Sequence, residues 1–558
     1  MGTNVKLLLV SGCVLLVAGI CAGQEGPGIQ IRSVAHATSA PLSSYPPLPP
    51  GWRPGIPPRV FPVLPAKRPG GGGGGGTGGG GSWTDPDLQT ASNTANFALA
   101  SVFQGQGFTG AIPPDDNLSV GLDPSGNTQI VQVVNTSYAI YGASGTQLAG
   151  GGDIAAALFA NLPSNQSCSA GNSSSTSDGG DVIALWDQLD GRWLISQLAY
   201  NSNFTQNDFC LAISNTADAT GTYEVYDISF GGSLPDYPKL AVWGDGIYFS
   251  ANMFHLKVNP FTGSVSSTFL GAQACSFSRS NVSTPPATIS LTCSGSGNTA
   301  IYNILPASID GPNPPPSGSD YYLQFVDNLS TTSGNQLKLY QFQSGKLVAL
   351  GNLSVGAFHE ACGGGTCIPQ FGTTQQLDSL GDRLMYRLSY RNYGGTQVMV
   401  VNHSVQVSSA SKQSGIRWYK LCNQNATVPF YVCQQSTFSP DAATYRWMGS
   451  MAQDSAGNLG LGYSTSGGSI YPSVAVTGLE SGVDAGMETE SVIYNGPNFQ
   501  DTYSRWGDYS SMAVDPHDDC TFWFTTEYST PTNFFGIYNF FWGTMIGSFH
   551  FPNCPANP

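Results

Sequence analysis

From residue 82 onward the chain alternates apolar and polar positions in short runs rich in Val, Ile, Tyr, Phe and Trp, separated by Gly, Asn and Ser. The runs at 129–141, 193–198, 384–390 and 521–526 show the pattern well. A period of two places every second side chain on one face, which predicts β-strands with one buried side. Sustained helical periodicity is absent, and 153–161 is the best short helix candidate.

A degenerate repeat orders these strands: an apolar strand, an Asp/Gly turn, then an aromatic-rich strand. It occurs at 120–126, 184–191, 240–246, 377–382, 451–457 and 512–519, with a poorer copy at 320–325. The turn positions are 55 to 75 residues apart, a spacing that suits four-stranded blades carrying long loops. The expected fold class is therefore all-β, a seven-bladed β-propeller, with six or eight blades left open by the poor copy. Closure of such a ring requires the segment at 96–103 to pair with the last blade, which removes the free sheet edges.

The beginning of the chain reads differently. Lys6 followed by the apolar run 7–20 and the small residues to Gly23 predicts a signal peptide over 1–23. Residues 24–81, with a proline-rich stretch at 46–65 and glycine runs at 70–76 and 78–81, predict a disordered Pro/Gly-rich tether. The folded domain is expected over 82–558. No later apolar stretch reaches the roughly 20 residues needed to span a bilayer.

Composition narrows the setting. Charged residues make only 10% of the chain, so Ser, Thr, Asn, Gln and Tyr must wet its surface, as in secreted proteins. A formal charge of −15 disfavours phosphate backbones, and nucleic acid is not an expected partner. Ten cysteines follow the signal segment, close together in pairs, and predict the disulfides Cys168–Cys210, Cys275–Cys293, Cys362–Cys367, Cys422–Cys433 and Cys520–Cys554. Ten Asn-x-Ser/Thr sequons, from Asn117 to Asn425, permit a glycoprotein. Together these imply an extracellular or surface-associated, monomeric protein.

The segments 362–370, 375–387, 445–450, 504–511, 515–523 and 547–554 form a distinctive set. Through them the chain resembles, from about 113 to 554, a family of secreted, largely bacterial β-propellers of sialidase-like or BNR-like appearance. Most of that family has no assigned function, so the resemblance implies fold and location more than chemistry. The tether and the Cys422/Cys433 pair depart from the family's usual pattern.

The innermost strands of a propeller start at one mouth of its channel, so the residues preceding each repeat turn are the candidates for a site. These are Asp116, Asp181, Asp236, Lys239, Gln376, Asp378, Arg446, Arg505 and Asp508. Pointing inward they form an acidic ring with arginines, suited to a cation or a hydroxyl-rich ligand; pointing elsewhere they hydrogen-bond neighbouring blades. Asp378, Asp508, Arg446, Arg505 and Tyr509 are the catalytic candidates, the last three standing nearest to the arginine cluster and tyrosine nucleophile of sialidases. Trp447 and Trp506, with Trp186, Trp243 and Trp418, are either sugar-stacking faces or core. Asp515, Asp518 and Asp519 are able to ligate Ca²⁺ through oxygen, or they build a structural turn like the Asp box of sialidase-like propellers.

No nucleophile-elbow, P-loop or zinc-protease motif occurs. The leading expectation is a secreted propeller binding an extracellular glycan or glycoprotein at the channel mouth. The alternative is a glycoside hydrolase or polysaccharide lyase using acids at that mouth, and a third reading is a structural wall or surface protein. Carboxylates converging at catalytic distance favour the enzyme, a flat aromatic platform favours binding, and a plugged mouth favours the structural role.

Overall fold

The computed structural model describes residues 28–45, 47, 58–64 and 82–554, apart from 173–174, 177, 317, 328–333, 425–428 and 532–538. The signal segment, the glycine runs and the sequons at Asn328 and Asn425 lie outside the described residues.

The protein is an all-β propeller. Its described strands form seven four-stranded antiparallel meanders whose innermost strands are Asn117–Leu122, Ile183–Asp187, Ser233–Val242, Leu305–Ile309, Met385–Asn392, Tyr445–Gln453 and Ser511–Val514. Each innermost strand packs against the next, and the last packs against the first. We number the meanders as blades one to seven in that order. Blade seven has only three strands from the C-terminal part, Ser511–Val514, Phe522–Ser529 and Trp542–His550; Ala98–Gly107 adds the fourth antiparallel to Trp542–His550. Ala98–Gly107 and the last described strand thus share one sheet, and the ring has no open edge there.

Between blades the packing is apolar. Leu118, Val120 and Ile130 of blade one meet Ala513, Trp523 and Ile546 of blade seven in one buried cluster. Short polar side chains stitch the inner strands to one another: Ser119 Oγ accepts the Trp186 N–H at 2.9 Å, and Ser450 Oγ accepts that of Met512 at 3.0 Å. The short helix is Ile154–Leu158, capped by Asp153, whose carboxylate accepts the Ala156 N–H at 2.7 Å. All five expected disulfides are present. No helix among the described residues is long and apolar enough to cross a membrane.

Two expectations need correction. The tether is not wholly unstructured, and the folded chain does not begin at 82. Ile29–Thr38 is a strand, pairing with Tyr223–Ser229 of blade two through its second half and with Ser290–Cys293 of blade three through its first. Alternation in Ile29-Gln-Ile-Arg lets it fill the gap between two outer edges, where its backbone groups gain partners. Residues 58–64 also pack, as the short strand Arg59–Val60 runs parallel to Ala111–Ile112. Second, the copy at 377–382 is not an inner strand; Leu377–Asp378 pairs with Thr366–Ile368 in the loop before blade five. The 377–382 copy matched the composition of the repeat, which ladder pairing overrides. The poorer copy at 320–325 does place its turn between the first two strands of blade four, Leu305–Ile309 and Tyr321–Val326.

Three sequons are closed to modification in the folded chain, because Asn117, Asn135 and Asn402 are fully buried.

Candidate functional site

One backbone device recurs at the start of the innermost strands. Asp115, Asp181, Tyr237, Asn303 and Met448 all have φ between 47° and 54°, the left-handed region. Each stands two residues before the strand begins, or before its pairing resumes after a bulge at Lys239 and Ser450. A side chain in that conformation turns out of the sheet rhythm, and five such turns at equivalent places bring their residues toward one end of the ring. Non-glycine residues adopt it at a cost, which is commonly met at functional sites.

The result is a hydrogen-bonded arc across blades seven, one, two and three. The Asp508 N–H donates to Asp115 Oδ1 at 2.6 Å, and Asn135 Nδ2 donates to Asp115 Oδ2 at 2.6 Å. The Asp181 N–H donates to Asn135 Oδ1 at 2.9 Å, and the Tyr237 N–H to Asp181 Oδ2 at 2.8 Å. Arg505 joins this arc to the neighbouring loop, pairing with Asp508 at 2.6 Å and Asp378 at 3.3 Å. Its Nε donates to the Phe61 carbonyl at 2.9 Å, so the 58–64 segment lies directly against the cluster.

Lys239 is the cation within the arc. It is fully buried, with Nζ 3.6 Å from the Tyr237 ring centre and 3.9 Å from that of Tyr509. Its Nζ donates to the Pro238 carbonyl at 3.0 Å. Burial pulls its pKa down to about 7, against the opposing pull of Asp181, Asp508 and Asp115. Arg383, ion-paired with Asp382 at 2.8 Å, lies 4.7 Å from the Tyr237 ring.

The acids differ in environment. Burial, reinforced by Asp508 and Asp181, raises Asp115 well above the usual carboxylate range. Asp236 is likewise raised well above it, by burial first and then by Asp181 and Asp508. Asp236 is half-buried, and no donor among the described residues bonds its carboxyl. A half-buried carboxyl raised well above its usual range by burial therefore shares this cluster with the ion-paired Asp508.

Beside the cluster is an open cavity of about 470 Å³ lined by Thr366, Thr373, Thr374, Gln375, Gln376 and Asp501. Its surface is hydroxyl and amide, apart from one carboxylate. Thr366 Oγ1 donates to Asp378, which carries the contact on to Arg505 and Asp508.

Of the anticipated residues, Asp181, Asp236, Lys239, Asp378, Arg505, Asp508 and Tyr509 gather here, and Gln376 lines the cavity. Asp116 does not share the arc: it is buried against Glu527, which with burial raises it well above its ordinary range. Arg446 belongs to another network, held by Glu490 at 2.7 Å and Asp441 at 2.6 Å. Trp447 and Trp506 are fully buried and pack 5.8 Å apart, so neither offers a face to a sugar. Trp243 and Trp418 are fully buried as well.

Asp515, Asp518 and Asp519 form the turn rather than a calcium site. Asp515 accepts from the His517 N–H and the Trp523 indole, Asp518 from the Cys520 and Thr521 N–H groups, and Asp519 from Arg391. Sequence reasoning missed Asp115, Asn135, Tyr237, Arg383 and Glu527. For Asp115 the signal was its place in the Asp115-Asp116 pair, where only one member follows the left-handed turn into the mouth.

No family model matches the chain, and no curated protein matches it. Solved structures that superpose on it include an endo-arabinase from Bacteroides thetaiotaomicron, at 12% identity and a TM-score of 0.25, covering 55% of this chain and 95% of that one. An α-L-arabinanase of Penicillium chrysogenum aligns at 11% identity and a TM-score of 0.30, covering 71% and 98%. A GH93 α-L-arabinofuranosidase of Fusarium graminearum aligns at 6% identity and a TM-score of 0.31, covering 83% and 97%. Scores this low transfer no residue role to this chain.

Proposed function

We propose that the protein is a glycan-acting glycoside hydrolase whose acid–base pair sits at the channel mouth. The observation that carries the reading is the contrast between Asp236, raised well above the usual carboxylate range by burial and with no hydrogen-bond donor among the described residues, and Asp508, ion-paired with Arg505. Glycosidic cleavage needs a carboxylic acid to protonate the leaving oxygen and a second carboxylate to activate water or attack. Neighbouring carboxyl groups whose environments push them apart are suited to that division of labour. In this reading Asp236 is the general acid and Asp508 the base or nucleophile.

Lys239, whose pKa burial lowers to about 7, and Asp115 set the field around the pair. The hydroxyl- and amide-lined cavity supplies donors and acceptors in the mixture a sugar chain presents, with Gln376 and Asp378 as ligand contacts. The binding-only reading called for an exposed aromatic platform, and the burial of Trp447 and Trp506 removes its best candidates.

The test is product release from a panel of plant and microbial polysaccharides by the mature protein, with Asp508→Asn in parallel. New reducing ends that disappear in a folded Asp508→Asn variant support the reading. No products from folded wild-type protein would overturn it and return the mouth to a recognition role.

A further inference from the structure

We propose a calcium site outside the channel mouth, built by Glu480, Asp484 and Glu488 in the loop between the last two strands of blade six. One carboxylate oxygen from each lies within 4.8 Å of the others. Oxygens around Ca²⁺ sit about 2.3–2.6 Å from the ion, so opposite ligands are about 5 Å apart, and the three are spaced to share one.

A second observation points the same way. Glu488 is fully buried, and its Oε1 has no hydrogen-bond partner. Its other oxygen accepts the Asn96 N–H at 2.6 Å and the Phe97 N–H at 3.4 Å. A carboxyl oxygen buried without a donor is costly to ionise, and a cation offsets that cost. Glu490, two residues on, is paired with Arg446 at 2.7 Å, whereas among the described residues none of the three has a basic partner.

The remaining contacts orient the carboxylates without saturating them. Asn93 Nδ2 donates to Asp484 Oδ1 at 3.0 Å, Asn96 Nδ2 to Glu480 Oε2 at 3.2 Å, and the Glu480 N–H to Asp484 Oδ2 at 3.2 Å. Asp484 is the half-buried member and gives the ion a route from solvent. Hard oxygen ligands with no nitrogen or sulfur suit Ca²⁺ over transition metals.

The location gives the ion a task. Asn93 forms a β-bridge with Glu488, and Asn96 and Phe97 lead directly into the ring-closing strand Ala98–Gly107. Calcium there fastens the chain's approach to the closing strand onto blade six.

The experiment is calorimetric titration of the EDTA-treated, dialysed full chain with CaCl₂, and separately with MgCl₂, with thermal unfolding alongside. One calcium per chain is expected, with affinity lowered at least tenfold in Glu488→Gln and in Asp484→Asn. Calcium about 100-fold above its dissociation constant should raise the wild-type midpoint by about 2 °C. Asp484 is half-exposed, so Asp484→Asn keeps the test open should Glu488→Gln fail to fold. Folded wild-type protein that binds no calcium, a preference for Mg²⁺, or unchanged affinity in folded Asp484→Asn would each overturn the proposal.

Discussion

Two buried charge clusters in this molecule look alike in composition and differ in balance. On blade five, Arg417 is fully buried and completely occupied: Nη2 pairs with the equally buried Asp85, Nη1 lies 3.2 Å from Asp87, and Nε donates to Thr437 Oγ1 at 2.6 Å. Thr437 Oγ1 donates in turn to Asp85 Oδ2 at 2.8 Å. Every charge there has a partner, and the product is an anchor for residues 85–89. At the channel mouth, acids outnumber bases, Asp236 has no donor among the described residues, and Lys239 is caged by rings. The fold spends stability in the second place and not in the first. A saturated cluster holds the chain, while an unsaturated one keeps groups available for chemistry.

The comparison is broken most forcefully at the mouth. Asp236→Asn should lower hydrolysis of unactivated polysaccharide by about 10²–10⁴-fold. It should cost much less on an aryl glycoside whose leaving group departs without a proton; equal losses on both substrates would remove Asp236 from the acid's role. By contrast, Asp85→Ala should leave activity per folded molecule unchanged and destabilise by about 3–5 kcal/mol, because Arg417 is then buried without its partner. Urea unfolding and initial rates on the soluble fraction check both halves of that expectation.

Smaller effects sharpen the picture. Removing the Cys168–Cys210 bridge, which closes a separation of 42 residues, should cost about 3–4 kcal/mol in the chain-entropy model. Its effect should appear in the denaturation midpoint and not in the pH profile of activity.

The pH dependence of stability distinguishes the clusters last. Lys239 has its pKa lowered to about 7 in the folded state, from an ordinary value of 10.5. Between those values the unfolded chain binds the extra proton, so this residue's contribution makes stability rise as pH increases from about 7 toward 10. Lys239→Met should flatten that rise, measured as urea midpoints at pH 7 and 9.5. A rise unchanged in the variant would mean that the lysine does not lose its charge on burial.

Much of the architecture was legible in the chain because its causes are local. Alternation marks strands wherever one face is buried, and Asp or Gly marks turns wherever the backbone must reverse. Cysteines close in sequence found the partners that short loops allow. The mouth was legible as a list of polar residues preceding the turns, and most of that list does converge. Asp116 was the near miss, a single residue from Asp115, because one left-handed residue exchanges which of two adjacent carboxyls faces the channel. Arg446 and Trp447 stand on one strand, where β-alternation gives two faces and composition does not say which is inward; Trp506, in the loop before blade seven, takes the core place that the sequence left open. Ile29–Thr38 was hidden by its surroundings, since its partners lie almost 200 residues or more away.

By itself, then, the amino-acid order determined the strands, the turns between them, the disulfide pairs and the polar character of the mouth. These follow from side-chain periodicity, backbone preference and short loop closure, all of which act over a few tens of residues. Tertiary structure alone decided which carboxyls lose their solvent, which find a basic partner and which are left with neither. Those outcomes depend on what other blades bring within a few ångströms, where burial and neighbouring charge set proton affinity.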